Sequence, residues 1–320
     1  MSDPKQAILD AVRKKFGGES AMVMSQGNHS QVKEVIPTGI GVFDYYVMGC
    51  GGIPVGRLGE IYAEPGCGKT SFGFAAMAGA QKAGGLAILV ETEDALQVER
   101  AQTFGVNLDE VILLAPGSME EALNQMVAVL ESIPDDTGPN ILVWDSIAAT
   151  PTKASIEGDV GVQKVGEKAR ILSGGLPKVC KLAAKKRTAL LFINQVREKI
   201  GVVFGDNLTT PGGHTVKFHS SWRMQFSSGK SVKDGTEMIG KDVMFISKKN
   251  KLSTPFKKAY ARLLFDEGWD DAYSTLNFAK DVGAISKQTR NTPKGQLEAR
   301  EALTKIDKMP WPPMETDDAV

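Results

Sequence analysis

Lys69 and Thr70 stand side by side directly after the turn Glu64-Pro65-Gly66-Cys67-Gly68. A short apolar run, Ile61-Tyr62-Ala63, precedes the turn, and a helix-like segment from Ser71 follows it. Strand, glycine-bearing loop, Lys-Thr and helix, in that order, make a phosphate-binding loop. Glycines let backbone N–H groups converge on phosphate oxygens, and the helix N-terminus behind them adds its dipole. Lys69 is then placed to bridge the β- and γ-phosphates of a nucleotide, and the Thr70 hydroxyl to ligate Mg²⁺. The first position of the usual pattern is Ala63 instead of glycine; as the last strand residue it tolerates a methyl group. The competing reading is a glycine-rich turn that precedes a Lys-Thr pair by coincidence. Cys67 falls among the phosphate-facing amides, where a thiolate is stabilised. It is therefore expected to react with thiol reagents and to be shielded by nucleotide.

Two acidic sites follow downstream. The run Ile141-Leu142-Val143-Trp144 ends in Asp145-Ser146, and an acid at the end of a buried strand beside a phosphate loop holds the hydration shell of Mg²⁺. A helix-capping aspartate is the alternative. Another strand ends Val90-Glu91-Thr92-Glu93-Asp94, on the rim where α/β sheets bind ligands. Period two places Glu91 and Glu93 on one face. Either could orient and deprotonate an attacking water, or the group is a solvated acidic turn. A third strand, Leu190 to Asn194, runs into Gln195 and then a long Gly-, Thr- and Pro-bearing stretch through Gly213. Gln195 could sense a γ-phosphate, with the loop behind it. Arg197, Lys199 and Lys217 offer phosphate contacts. Ile200, Val202, Val203 and Phe204 either wedge between bases or pack the loop onto the core.

The elements that must position these groups alternate. Strands are expected at Leu58–Ala63, Leu86–Glu91, Val111–Leu114, Ile141–Asp145 and Ala189–Asn194. Helices are expected at Ser71–Lys82, Leu96–Thr103, Met119–Ser132 and Lys168–Lys186. Continuous apolar strands separated by helices imply a mostly parallel, twisted α/β sheet covered on both faces. Beyond Ser221 the strands Trp222–Phe226, Val243–Ser247 and Ala259–Phe265 follow without helices between them, so the sheet should finish with antiparallel pairs. The N-terminus reads as a helix capped by Asp3, with Pro4 in its first turn and Gly17-Gly18 at its end. Ile8, Leu9, Val12 and Phe16 share one face, and that stripe docks either on the same chain or on a neighbouring subunit. The stretch from Lys280 to Val320 is polar and too thin for an independent core; Glu315, Asp317 and Asp318 give it an acidic end.

Composition narrows the class. The chain has 320 residues with 42% apolar and 24% charged, as in an ordinary globular protein. Its 38 basic and 38 acidic residues give zero formal net charge, so any nucleic-acid surface must be a local patch. Three scattered cysteines have no metal-ligand spacing and fit reduced thiols. No apolar run approaches a membrane span, so a cytoplasmic protein with no membrane partner is expected.

The stretches IPTGIGVFDYYVMGCGGIPVGRLGEIYAEPGCGKTS, ILVWDSIAATPTKASIEGDVG, LLFINQVREKIGVVFG, TTPGGHTVKF and KKNKLSTPFK resemble bacterial RecA recombinases. The likeness runs from the N-terminal helix to about Gly268, and the FINQ-R-KIG-FG and GG-KF stretches are far more specific than the phosphate loop. It implies an N-terminal oligomerisation helix and linker (1–35), a RecA-like P-loop ATPase core (36–268) and a C-terminal region (269–320) shorter than the family's usual one, as in a divergent or phage-borne member. ATP and Mg²⁺ would be the cofactors. Lys69 and Thr70 would bind phosphate and metal, with Glu64, Pro65, Gly66, Cys67, Gly68 and Ser71 completing the loop and Asp145 as the metal acid. Glu93, not Glu91, matches the catalytic glutamate. Gln195 matches the residue linking the γ-phosphate to a DNA-binding loop. Lys249 and Lys251 match lysines that reach the ATP of the adjacent subunit; by charge pattern alone they read as a solvated basic cluster with Lys248. DNA loops are implied at about 156–166 and 197–213, with contacts from Arg170, Ser173, Arg197, Lys199, Ile200, Gly212 and Gly213.

Departures from the family accompany these matches. Arg100 stands where an aromatic residue stacks on adenine, and Gln97 where an aspartate reads the base, while Phe265 keeps an aromatic nearby. Pro177 replaces a basic residue of the DNA-facing helix and should bend or restart it. The implied activity is a DNA-dependent ATPase that forms a head-to-tail helical filament on single-stranded DNA and exchanges strands with homologous duplex. The alternatives on the same core are a hexameric helicase-type motor and an ATP-binding regulator that exchanges no strands.

Overall fold

The computed structural model describes residues 3–18, 20–23, 25, 32–93, 98–159, 166–198 and 208–307, with backbone only at 98, 197, 198, 208 and 307. Two compact units are present, 1–33 and 34–320. The first carries helix α1 (Pro4–Phe16), whose N-cap Asp3 accepts from the Lys5 N–H and whose first position is Pro4. Both features follow the sequence, since proline lacks only an N–H that the first turn leaves unused.

The second unit begins with the short strand β1 (Val35–Ile36) and a π-helical turn, Val42–Val47. Next come β2 (Ile53–Pro54), β3 (Leu58–Ala63), α2 (Lys69–Lys82), β4 (Ala87–Glu91), α3 (Val98–Thr103), β5 (Val111–Leu114), α4 (Met119–Ser132) and β6 (Asn140–Asp145). Then follow α5 (Lys153–Glu157), α6 (Glu167–Lys185), β7 (Thr188–Gln195), β8 (Arg197–Glu198), β9 (Leu208–Thr209) and α7 (Gly213–His219). The chain finishes with β10 (Trp222–Asp234), β11 (Glu237–Asn250), β12 (Lys258–Leu264), β13 (Gly268–Asp270), α8 (Asp271–Asp281) and α9 (Pro293–Asp307).

Among the described residues the main sheet has nine strands in the order β13-β12-β11-β10-β3-β7-β6-β4-β5. From β10 across β3 to β5 neighbours run parallel, and from β10 to β13 they run antiparallel. Strand pleat sorts the core. Ala189, Leu191 and Ile193 of β7 join the cluster that includes Phe72 of α2, while Leu190 and Phe192 join Leu123 of α4 and Leu176 of α6. Residues two apart thus face one layer, and both layers are apolar, as buried parallel strands require.

Two expectations need correction. α6 runs as one helix through Pro177 instead of restarting there. Pro177 and Ser173, whose carbonyl loses its partner, both face solvent, while Leu172, Leu176, Val179 and Ala183 bury the opposite stripe, and that packing holds the helix. β10 and β11 are much longer than the apolar runs that marked them, because their outer halves extend as a polar hairpin. The region beyond Gly268 has no core of its own but is well built through α9. Leu276, Phe278, Ala279, Ala299 and Leu303 join the main cluster, and Arg300 pairs with Asp271 at 2.6 Å. The other oxygen of Asp271 accepts the Gly41 N–H at 2.6 Å, so the π-turn and the last helix share one carboxylate. Trp311 and the acidic end lie outside the described residues.

Candidate nucleotide and nucleic-acid site

The central strand β3 feeds the phosphate loop. Gly66 and Gly68 adopt φ of +72° and +77°, which side chains other than hydrogen rarely allow, and α2 starts at Lys69. Lys69 is buried, and its ammonium donates back to the carbonyls of Glu64 at 2.8 Å and Ala63 at 3.3 Å. Burial pushes its pKa below the usual lysine value. An anion above the loop would replace those carbonyls and favour the charged form. Pro65, Gly66, Gly68, Lys69, Thr70 and Ser71 line one cavity of about 400 Å³ with Glu93, Arg100, Asp145, Gln195 and Phe265. The structure therefore gathers most of the expected nucleotide-site residues.

Glu64 and Cys67 are the exceptions. Neither lines the cavity, and the Cys67 side chain is 5% exposed and packs in the apolar cluster. The loop aims its amides outward, which turns this side chain inward, so the expected reactivity toward thiol reagents is withdrawn.

Parallel pairing brings the acids to the loop. β4 and β6 place Glu91 opposite Asp145, and β3 and β7 place Ala63 opposite Gln195. The Thr70 hydroxyl donates to Asp145 at 2.6 Å. Burial, opposed by that hydrogen bond, raises the Asp145 pKa to about 6. One hydroxyl and one carboxylate at hydrogen-bond distance suit Mg²⁺, which keeps several waters and takes one or two protein oxygens beside phosphate. Among the described residues no cluster of three acidic, His or Cys ligands exists, and such a cage is not what this ion needs. Glu91 and Glu93 do not extend one strand face: β4 ends at Glu91, and the Glu93 N–H donates to the Glu91 carboxylate at 2.9 Å. Glu93 itself is exposed, and one of its oxygens accepts from Ser146 at 2.6 Å and from the Gln195 amide at 3.1 Å. A carboxylate held this way is oriented for a proton transfer.

Gln195 joins this cavity to a second region. The next strand, β8, pairs with β9, Arg197 opposite Thr209, and so closes the base of the 197–213 stretch. Lys199 and Ile200 lie outside the described residues, as do Val202, Val203, Phe204 and positions 160–165 of the 156–166 stretch. The roots of both stretches meet. A Cβ on Gly212 would stand 2.8 Å from Leu172, and one on Gly213 3.3 Å from Ala169, while Thr215 donates to the Ala169 carbonyl at 3.2 Å. Arg170 and Ser173 are exposed on this same end of α6. Lys249 and Lys251 do not reach the cavity of their own chain; Lys249 donates to the Lys217 carbonyl at 2.6 Å. Partial burial, Lys251, Arg223 and Lys217 lower its pKa, which marks a concentration of positive charge.

Sequence reading missed the buried polar frame beneath. Glu60, 0% exposed on β3, forms an ion pair with Arg223 of β10. Its other oxygen accepts from Asn194 at 3.0 Å, and the Asn194 amide also donates to the Pro211 carbonyl at 3.0 Å. Asn194 in turn accepts the Gln195 N–H at 3.1 Å. Beside it, a Cβ on Gly59 would overlap Trp222 at 2.0 Å, so only glycine lets β10 lie against β3. The available signal was one acid inside the apolar strand Leu58–Ala63 and one arginine directly after Trp222. Lys241, which donates to the Gly66 carbonyl and lines the cavity, was also missed.

Residues 5–270 match the family described as the RecA N-terminal domain. The chain is 39% identical to Protein RecA of Bacteroides thetaiotaomicron over 282 residues, which is 88% of this chain and 84% of that protein. It is 38% identical to Protein RecA of Heliobacterium modesticaldum, over 88% of this chain and 80% of the other. Against Protein RecA of Thermus thermophilus the identity is 39%, over 87% and 81%.

Proposed function

The chain belongs to the RecA family of recombinases, and we infer that it couples ATP hydrolysis to homologous pairing and strand exchange. The observation that carries this reading is the adjacency of Asn194 and Gln195. Gln195 touches Glu93 in the nucleotide cavity, and Asn194 holds Pro211 at the root of the 197–213 stretch. Two consecutive residues thus serve both regions. In this reading the loop amides and Lys69 bind the phosphates, and Thr70 and Asp145 hold Mg²⁺, which when bound neutralises charge on the phosphates. Glu93 orients the attacking water and takes its proton. Gln195 leaves Glu93 for the γ-phosphate and draws the loop with it.

Single-stranded DNA runs past Arg170, Ser173, Arg197, Gly212 and Gly213, with Lys199 and Ile200 on the loop between. Lys249 and Lys251 complete the nucleotide site of the next subunit in a head-to-tail helical filament. The α1 arm (1–35) docks on that neighbour. β5 forms an outer edge of the sheet with Ile112 and Leu113 exposed, and an open edge of this kind favours covering by another copy. Among the described residues no helix is long and apolar enough to cross a membrane.

The test is strand exchange between circular single-stranded and linear duplex DNA, with the ATPase measured in parallel. Gln195→Ala should retain nucleotide binding within about threefold and lose DNA stimulation of hydrolysis. DNA stimulation equal to the unsubstituted chain refutes the coupling. Unwinding of a fork without exchange would place the chain with helicase motors.

A further inference from the structure

The phosphate loop sits at a boundary. On its β7–β6–β4 side stand Gln195, Asp145 and Glu93; on its β10–β11–β12 side the same cavity is walled by Lys241, Leu263 and Phe265, with Arg100 of α3 closing it. A nucleotide with its phosphates on the loop and its γ-phosphate toward Glu93 and Gln195 puts its base on the second side. Lys241 is opposite Leu263 in the β11–β12 register, and its ammonium donates to the Gly66 carbonyl. Among the described residues no carboxylate pairs with Lys241 or Arg100. Among the described residues the side-chain polarity at this end is therefore two cations, both hydrogen-bond donors, above the apolar surface of Leu263 and Phe265.

Bases differ in how they meet donors. Guanine and hypoxanthine present O6 and N7 as adjacent acceptors, a pair that a lysine ammonium or an arginine matches. Adenine sets its N6 amino donor beside N7, against the same cation. We propose that Lys241 is a base-selecting residue, which with Arg100 makes the site accept 6-oxopurine nucleoside triphosphates at least as well as ATP. The proposal rests on the nucleotide-site reading above and deepens it to a substrate class.

The experiment displaces a fluorescent ribose-labelled ATP from the full chain, in Mg²⁺, with ATP, GTP and ITP. The expected result is half-displacement by GTP and ITP at concentrations no higher than ATP requires. Lys241→Met should raise the GTP and ITP values about tenfold and move ATP by less than threefold. Lys241→Arg, which keeps a donor, should restore GTP and also controls for folding. GTP more than tenfold weaker than ATP in the unsubstituted chain overturns the proposal. So does Lys241→Met weakening all three nucleotides equally, which would make Lys241 a phosphate contact. Failure of the labelled probe to bind, while Lys69→Ala changes nothing, overturns the phosphate-loop reading itself and the proposal with it.

Discussion

The two halves of the sheet that meet at β3 use charge in opposite ways. The parallel half offers acids at its strand ends, Glu91 and Asp145, with Glu93 just beyond. The antiparallel half offers cations along its strands, Arg223 on β10 and Lys241 and Lys249 on β11. The acids emerge where parallel strands stop, because every parallel strand points its C-terminal end to the same rim. The cations line strands that run both ways, so they are distributed along the half. In the function proposed above, a nucleotide at the seam would meet carboxylates on one side, for metal and water, and cations on the other. The buried Glu60–Arg223 pair crosses between the halves with opposite signs in contact.

Glu93→Gln tests the acid half most severely. Turnover of ATP should fall 10²- to 10⁴-fold, the range for removing a general base, with nucleotide affinity within about threefold; a smaller loss in single-turnover hydrolysis would move the base elsewhere. Arg223→Met leaves the Glu60 carboxylate buried and unpaired, and urea unfolding should show a loss of about 3–5 kcal/mol. The double change Glu60→Gln, Arg223→Met should recover most of it. If it does not, the seam is held by Trp222 packing on Gly59 and not by the ion pair. Pro177→Ala, on the helix over the parallel half, should stabilise by about 1–2 kcal/mol, since it returns an N–H to the Ser173 carbonyl. Arg187→Ala breaks the half-buried pair with Glu34 and should cost about 1 kcal/mol in the same denaturation assay. A cost as large as that of Arg223→Met would erase the distinction between surface and seam. Cys67 should label slowly with and without nucleotide, and rapidly only on unfolding.

Much of the acid half is legible in the sequence because each piece is local. An apolar run followed by Asp145, or by Gln195, announces a strand and its functional end within a few residues. The frame and the cation half are not local. Glu60 meets Asn194 134 residues on and Arg223 163 residues on, and no periodicity links such positions. Lys241 lies in a polar hairpin whose charges at Lys230, Lys233, Asp234 and Glu237 face solvent, so its approach to Gly66 appears only in three dimensions. Cys67 shows a different limit: the motif fixes where the amides point, and the side chain goes the other way. α8 and α9 escaped notice because each buries a narrow stripe against a core built by earlier residues.

The separation of Glu60 from its partners also bears on how the chain is made. β3 leaves the ribosome long before β7 and β10, the neighbours that pair with it on both sides. At about 5–20 residues per second, the 163 residues to Arg223 take roughly 8–30 s to synthesise. Until Asn194, 134 residues on, has been made, the strand that will carry the phosphate loop has no permanent partner on either edge, and its β10 edge stays open until Arg223 follows. Asp271 and Arg300 come later still, and with them the carboxylate that accepts the Gly41 N–H. Cutting the chain before α9 should therefore yield an aggregation-prone product during synthesis, even where the phosphate loop itself is complete.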